Sequence, residues 1–255
     1  MPTLHLLGTG AAVSDPHRTT TMLAVSDEDA DEPDVLLVDC GGDVLHRMLM
    51  AGLSYDRIAA LIVTHAHPDH VSGFPLFMEK VWLAGREAPI PVCGIEPALD
   101  QARRTLDAFA AITEGWEGMP EIDWRPVSHT QDATVWNDAT WRVTAAPVDH
   151  SGTPNVGLRV AHKRGGGTVA YSCDTAPTGS VAHLGRDADL LVHEANGEYP
   201  GHSSAAQAAR VAKQAQAQRL LLVHLPPGDK SEDLAAARQI FADAELGEEL
   251  GAYPF

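Results

Sequence analysis

The stretch Thr64-His-Ala-His-Pro-Asp-His70 follows directly after the apolar run at residues 59–63. An apolar run of this length predicts a buried strand, and the end of such a strand delivers side chains to the rim of a sheet. The loop after it offers imidazole and carboxylate groups together, which suit zinc, manganese or iron. Pro68 restricts the loop and opposes its continuing as strand or helix. The candidate metal ligands of this motif are His65, His67, Asp69 and His70.

Further candidate ligands follow other predicted strands. His150 closes one strand, Asp174 follows a second, and His224 lies near the end of a third. Each of these residues taken alone is more often structural. Together they repeat the pattern of a strand followed by a ligand, which is what a single metal-binding rim requires.

Short strand-like runs alternate with helical runs along the whole chain. The sequence predicts strands at residues 3–7, 34–38, 59–63, 91–95, 140–146, 156–161, 168–172, 190–193 and 219–225. It predicts helices at residues 43–51, 97–109, 203–217 and 232–246, the third of them capped by Ser203 or Ser204. The glycine-rich residues 163–167 form the turn of a hairpin. Mixed strands and helices, with no linker and no repeat, indicate an α/β sandwich that we take as one domain over residues 1–255.

Composition narrows the class of protein. The chain has 255 residues and 44% hydrophobic residues, enough to fill a sizeable core. It contains no apolar run of about 18 residues, so we expect no membrane span. The N-terminus lacks a basic stretch followed by an apolar one, and the three scattered cysteines form no disulfide framework, so we expect a cytoplasmic protein.

The charge balance is strongly acidic, with 35 acidic against 18 basic residues and a net charge of −17. Such a chain gains little from long-range attraction to nucleic acid. One interpretation is a solvated, salt-adapted surface. The other is a field that repels large polyanions.

Several motifs together resemble the metallo-β-lactamase superfamily and, within it, the ribonuclease Z-like branch of phosphodiesterases. The resemblance covers nearly the whole chain. Besides the histidine-rich motif, it rests on Leu7-Gly-Thr-Gly-Ala11, Val38-Asp-Cys-Gly-Gly42, Tyr171-Ser-Cys-Asp-Thr175, Val192-His-Glu-Ala195, Gly201-His-Ser-Ser-Ala205 and Leu222-Val-His224. It implies a four-layer αββα sandwich.

The resemblance also implies a dinuclear metal site with seven ligands. One metal would be held by His65, His67 and His150. The second would be held by Asp69, His70 and His224, and Asp174 would bridge the two. A hydroxide shared by the metals would attack phosphorus. Two zinc ions are the default, with manganese or iron as alternatives.

The leaving group of a phosphodiester needs a proton, and the resemblance implies that His202 donates it as general acid. Glu194 would orient this histidine and favour its charged form. Asp69 is a further candidate for the same relay. Asp39 would support the site without being a ligand. Of the remaining histidines, His193 lies beside Glu194 on a buried strand and is expected to make a structural hydrogen bond, and the others have no motif context and are expected to be surface or packing residues.

The chain departs from ribonuclease Z in one segment. In that family an arm that clasps tRNA is inserted between the positions of His150 and Asp174, and here a hairpin occupies this interval. We therefore expect a small anionic or cyclic phosphodiester as substrate, and we do not expect tRNA. The alternatives are a ribonuclease Z-type tRNA 3′ endonuclease, a sulfatase or lactonase on the same scaffold, and a non-catalytic metal-binding module.

Aromatic side chains are concentrated between residues 74 and 124, with Trp82, Trp116 and Trp124 among them. They favour core and subunit-interface packing, in line with the homodimer that the resemblance implies. The alternative is a hydrophobic wall or lid over the metals.

Overall fold

The structure is a computed structural model that describes residues 1–27, 29, 34–113 and 116–255, without the side chains of residues 111 and 113. Its strands, in chain order, are β1 Pro2–Gly8, β2 Met22–Asp27, β3 Val35–Val38, β4 Ile58–Val63, β5 Ile90–Gly94, β6 Ile122–Pro126, β7 Ala133–Asn137, β8 Trp141–Pro147, β9 Val156–His162, β10 Thr168–Tyr171, β11 Leu190–Glu194, β12 Arg219–Val223, β13 Ala244–Leu246 and β14 Ala252–Pro254. The first sheet has the order β14-β1-β2-β3-β4-β5-β6, and the second has the order β13-β12-β11-β10-β9-β8-β7.

Both sheets are mixed in the same manner. Strands β14 to β3 of the first sheet pair antiparallel, and β3 to β6 pair parallel. In the second sheet β7 to β10 pair antiparallel, and β10 to β13 pair parallel. The central strands β3 and β10 are buried along their whole length, as expected for strands covered on both faces.

Helices cover the outer faces of the two sheets. In chain order they are α1 Val44–Met50, α2 Pro68–Val71, α3 Phe74–Leu83, α4 Glu96–Asp107, α5 Ala110–Thr113, α6 Gly179–Leu184, α7 Ala205–Ala215 and α8 Ser231–Arg238, with a short 3-10 helix at Tyr55–Arg57. The inner faces of both sheets contribute to one large apolar core, and a second core lies between α6, α7, α8 and the second sheet. The α/β sandwich predicted from the sequence is therefore confirmed.

Three local predictions need correction. Residues 232–246 are not one helix, because the chain leaves α8 after Arg238 and adds β13 to the open edge of β12, where its backbone groups find partners. Helix α4 ends at Asp107, so Phe109 lies outside it and is exposed instead of packing beside Leu99. Pro68 does not oppose a helix but occupies the first position of α2, where its missing N–H costs no hydrogen bond.

The strand directions bring many chain segments to one edge of the sandwich. The parallel strands β3, β4, β10, β11 and β12 all end there, and β8 runs in the same direction as β10. Loops at the carboxyl ends of parallel strands are the usual place for binding sites in α/β folds. Among the described residues no helix is both long and apolar enough to cross a membrane.

Candidate active site

The histidine-rich loop is fixed by close backbone contact with the turn after β3. The N–H of Cys40 donates to the carbonyl of His70 at 2.8 Å, and the N–H of Gly73 donates to the carbonyl of Cys40 at 2.8 Å. A Cβ atom at Gly41 would lie 1.6 Å from the carbonyl oxygen of Asp69, so only glycine allows this approach. The turn after β3 thus holds the loop after β4 in place.

The first group of side chains joins the two sheets. His65 and His67 follow β4, whereas His150 follows β8, and one nitrogen of each ring lies within 4.8 Å of the others. His150 Nε2 is 3.0 Å from His67 Nδ1. The other nitrogen of His150 donates to the carbonyl of Gly201 at 2.9 Å, which leaves Nε2 unprotonated, with its lone pair toward His67. This tautomer is the one that a metal ligand requires.

The second group combines two carboxylates and two imidazoles, Asp69, His70, Asp174 and His224. His70 Nε2 lies 3.4 Å from Asp174 Oδ2, and His224 Nε2 lies 3.2 Å from the same oxygen. Asp69 Oδ2 is 3.4 Å from His224 Nε2. The two groups are adjacent, because Asp174 also lies within 4.8 Å of His150 and His202.

Asp39 lies behind His70. Its Oδ2 accepts a hydrogen bond from His70 Nδ1 at 2.8 Å, and its Oδ1 accepts from the backbone N–H of Thr64 at 2.8 Å. The carboxylate therefore fixes both the tautomer and the direction of the His70 ring. This placement agrees with the supporting position expected for Asp39.

Several buried polar atoms in the cluster have no hydrogen-bond partner, namely His65 Nε2, His70 Nε2 and Asp174 Oδ1. Leaving a buried polar atom unpaired costs about 1–3 kcal/mol. Unpaired lone pairs from imidazole and carboxylate, converging within a few ångströms, fit divalent metal ions of the zinc, manganese or iron type. The residues present therefore suit the group that the sequence implies.

The pKa values of the cluster follow from burial and charge. Burial lowers the pKa of His65 far below its ordinary value, and it also lowers the pKa values of His67 and His150. These imidazoles are neutral, as ligands must be. Burial opposes ionisation of Asp174, but its electrostatic interaction with the adjacent His224 and His70 holds its pKa well below the ordinary range. This carboxylate is ionised and attracts cations.

A histidine–carboxylate pair lies at the side of the cluster. His202 Nδ1 donates to Glu194 Oε1 at 2.9 Å. Glu194 is fully buried, and the same oxygen also accepts from the N–H groups of Thr175 and Ser203, each at 3.0 Å. Burial disfavours the charged form of His202, but the hydrogen bond and charge of Glu194 raise the pKa of the imidazole above its ordinary value. This side chain can hold a proton near neutral pH.

Backbone strain is concentrated around the cluster. Asp39, Cys173 and His224 have φ angles of 62°, 51° and 53°, in the left-handed region that non-glycine residues rarely adopt. Each directly follows or adjoins a strand end and turns a side chain toward the site. Gly201 also has a positive φ of 80°. A Cβ atom there would lie 2.8 Å from the backbone nitrogen of Ser151, so only glycine fits at this position. Strain of this kind is typical of functional sites.

Some neighbours of the site carry no sequence signal of their own. Thr153 places its hydroxyl 3.4 Å from His67 Nε2, and Asn155 donates to the carbonyl of Asp174 at 2.8 Å. Thr64 belongs to the quoted motif, but its hydrogen bonds to Asp39 join the ends of two neighbouring strands, β4 and β3. The discounted His193 is buried and bonded to the carbonyl of Glu194 at 2.8 Å, in agreement with a structural role.

Comparison with known proteins identifies the family. The profile of the Beta-lactamase superfamily domain matches residues 35–225. The chain belongs to the metallo-β-lactamase superfamily. Ribonuclease Z of Methanothermobacter thermautotrophicus is 28% identical over 96% of this chain and 94% of the relative. Ribonuclease Z of Salinibacter ruber is 30% identical over 97% of this chain and 92% of the relative.

A solved structure shares the fold of this metallo-β-lactamase superfamily member. Human tRNase Z, short form, has a TM-score of 0.79 and 23% identity, covering 99% of this chain and 100% of that one. The relatives place the chain in the ribonuclease Z-like branch of the superfamily. Together with the His/Asp clusters, they support a metal-dependent hydrolase of the nuclease or phosphodiesterase type.

Proposed function

We propose that this superfamily member is a dinuclear-metal phosphodiesterase that hydrolyses small or cyclic phosphodiesters. The observation that carries the proposal is the position of Asp174, which belongs to the Asp69–His70–His224 group and also lies within 4.8 Å of His150 and His202. One carboxylate within reach of both ligand groups and of a proton donor suits phosphoryl transfer to water.

The ligand assignment follows the two groups. His65, His67 and His150 would hold one ion, and Asp69, His70 and His224 the other, with Asp174 between them. Nitrogen and oxygen donors of this kind make zinc the first choice, followed by manganese or iron. When bound, two dications supply Lewis acidity and lower the pKa of a water molecule between them.

A side chain of the protein protonates the leaving group. An alkoxide leaves phosphorus slowly unless it is protonated as the bond breaks. The hydrogen bond to Glu194 occupies Nδ1 of His202, so that the protonated Nε2 remains for the substrate. The buried Glu194 is itself held by the N–H groups of Thr175 and Ser203, so the pair cannot swing away.

Substrate size is limited by what the chain lacks. Strands β9 and β10 form a plain hairpin closed by residues 163–167, in the interval where tRNA-clasping enzymes carry their arm. The alignment with the Methanothermobacter ribonuclease Z extends over 299 positions, more than the 255 residues of this chain, so that relative holds segments absent here. A net charge of −17 adds repulsion toward a long polyanion.

The second candidate is a tRNA 3′ endonuclease, favoured by the names of the curated relatives. A substrate panel separates the candidates. The metal-loaded enzyme is assayed with bis(p-nitrophenyl) phosphate, a 2′,3′-cyclic nucleotide, a precursor tRNA, an aryl sulfate and a lactone. We expect efficient turnover of the first two alone. Cleavage of the precursor tRNA with the higher kcat/KM would favour the endonuclease, and efficient sulfate or lactone turnover would rule out both candidates.

We further propose a homodimer formed through α3 and α5. A cavity of about 370 Å³ lies there between Pro75, Leu76, Glu79, Phe109, Ile112 and Trp116. Leu76, Phe109 and Ile112 are exposed, which is unusual for clustered large apolar side chains. Phe74 and Phe77, in contrast, are core residues.

Sedimentation velocity tests this dimer. L76E and I112E should shift the protein toward the monomer, whereas K213E on α7 should not. A wild-type monomer at tens of micromolar would exclude the dimer.

The cytoplasmic location remains a prediction, in keeping with three cysteines that are free and buried.

A further inference from the structure

A polar cavity of about 530 Å³ lies on the outer face of the second sheet. Its lining residues come from β8, β9, the end of α6 and the segment before β7, and they are Asp132, Arg142, Thr144, Arg159, Ala161, His183, Arg186 and Asp187. On β8 the alternate residues Trp141, Val143 and Ala145 point into the inner core, so Arg142 and Thr144 point outward.

The strand register brings two of the arginines together. Arg142 is paired with Ala161 and Thr144 with Arg159, which makes Arg142 and Arg159 diagonal neighbours on the same face. Diagonal neighbours across antiparallel strands are about 7–8 Å apart, close enough for long side chains to meet. Two cationic side chains this close repel each other unless an opposite charge lies between them.

The end of α6 completes the cavity. Arg159 Nη1 donates to the carbonyls of Leu184 at 2.5 Å and Arg186 at 2.8 Å, so that one edge of its guanidinium is held and the other edge is left for a ligand. This orientation also brings the chain at Arg186 to the cavity. The side chains of Arg142 and Arg186 have no hydrogen bond and no ion pair within the described ranges of the chain.

Two carboxylates and three arginines line the cavity, which leaves one positive charge in excess. Asp132 accepts a hydrogen bond from His183 Nε2 at 2.9 Å, and Asp187 is exposed at the rim. Three arginines in one cavity are notable in a chain with 18 basic residues and a net charge of −17. Arginine presents a planar fork of N–H groups that matches phosphate and similar oxyanions.

We propose that this cavity binds a small polyanion that carries two or more phosphate or sulfonate-like groups. Arg142, Arg159 and Arg186 would contact the anion, and the hydroxyl of Thr144 would add a neutral donor. Thr144 and Arg142 lie three and five residues before the end of β8, about 10 and 16 Å along the strand at about 3.3 Å per residue, and their side chains are on the outer face of the sheet, whereas His150 follows the end of β8. The cavity is therefore separate from the metal cluster, and the proposal stands whether or not the enzyme hydrolyses phosphodiesters.

Fluorescence anisotropy with 1,3,6,8-pyrenetetrasulfonate tests the proposal on the metal-loaded full chain. Sulfonates coordinate zinc poorly, so this probe reports on the arginines and not on the metals. We expect saturable binding that weakens with added salt and at least a tenfold loss of affinity in R142A and in R186A. Both residues are exposed, and folding of each variant is checked by circular dichroism.

The matched control is R104A, which removes an exposed arginine on α4. Equal losses in R104A and R142A would reduce the effect to net charge and overturn the proposal. Absence of saturable binding to the wild type at 1 mM probe would overturn it as well. Displacement of the probe by short RNA at lower phosphate concentration than by pyrophosphate would overturn the assignment to a small ligand. Unchanged turnover of bis(p-nitrophenyl) phosphate in R142A would confirm that the two sites are separate.

Discussion

The imidazole of His202 is bonded through Nδ1 to Glu194 Oε1 at 2.9 Å, and the same oxygen accepts from the backbone N–H groups of Thr175 and Ser203. Glu194 ends β11, whereas His202 lies in the loop before α7, whose first turn is capped by Ser204. A strand end and a helix cap thus position the two side chains independently. The pair is rigid before any substrate arrives.

Replacing His202 with Ala should reduce turnover of an unactivated dialkyl phosphodiester by about 10²–10⁴-fold, the usual contribution of a general acid. Hydrolysis of bis(p-nitrophenyl) phosphate should fall far less, because its leaving group needs no proton. The ratio of kcat/KM for the two substrates is the measurement. H46A removes an exposed histidine of α1 and should leave both rates unchanged. Equal losses on both substrates would contradict the general-acid role of His202.

The pH dependence should reflect Glu194. Because Glu194 raises the pKa of His202, the acid form is present below that pKa and is lost as the pH rises through it. E194Q keeps an acceptor oxygen but removes the charge, so the alkaline decline in kcat/KM for an unactivated diester should move to lower pH. The activated diester should show no such decline in either enzyme. An unchanged profile in E194Q would separate Glu194 from the protonation of His202.

Asp39 should act on metal affinity mainly by orienting His70. D39N retains the size of the side chain, and asparagine tolerates the left-handed backbone at φ 62°. It weakens the hydrogen bond that orients His70, so metal affinity should fall about 10–100-fold. Competition with a chromophoric chelator measures this loss directly. T153V, which removes the hydroxyl near His67, is expected to lower affinity less, since its hydrogen bond is longer at 3.4 Å. Identical metal affinity in D39N and the wild type would refute the role.

Stability in acid should depend on Asp27, at the opposite edge of the sandwich. Burial raises the pKa of this carboxyl, but its hydrogen bonds to the N-terminal ammonium and to His162 Nε2 more than offset this and lower it overall. A lowered folded-state pKa means that the stabilisation is present above the ordinary pKa of about 3.9 and is lost as the pH falls through the folded value. D27N should therefore unfold at lower urea than the wild type at pH 7, and the gap should narrow below about pH 3.9. D107N, an exposed change on α4, should show no gap at either pH.

Metal removal should destabilise the fold as well as stop catalysis. Buried atoms such as Asp174 Oδ1 and His65 Nε2 have no protein partner, so a bound cation would compensate for the hydrogen bonds they lack. At a free metal concentration 100 times the Kd, binding adds about 2.7 kcal/mol to stability. Thermal unfolding with and without chelator, followed by zinc addition, measures the shift. D174N should show little response to zinc, and a wild-type Tm insensitive to chelator would exclude tight metal binding.

Many of the candidate ligands could be predicted from the local sequence. The ligand motif after β4 and the strand-then-ligand pattern at Asp174 and His224 involve residues that are neighbours in the chain. They could therefore be recognised from the sequence alone. Ser204 was likewise predictable as a helix cap, because its hydrogen bond reaches only to the next turn. The supporting contacts of Thr153 and Gly201 were not, since each depends on a partner more than fifty residues away in the chain.

The edges of the sheets were the least predictable elements. Strand β6 is only half-buried and contains both Arg125 and Pro126, so its side chains follow no clear alternation. Strands β13 and β14 have three residues each, too few to show a period, and form because open sheet edges need partners. The assignment of residues 1–255 to one domain remains a prediction.

The ligand cluster draws on both sheets, with His65 and His70 from the loop after β4 and His150, Asp174 and His224 from the second sheet. Ions held there would link the two sheets, which are formed mostly by the N-terminal and the C-terminal half of the chain. During synthesis the full set of ligands is complete only after His224 has left the ribosome and β12 has joined its sheet. Full metal loading would therefore be a late event in the folding of this chain.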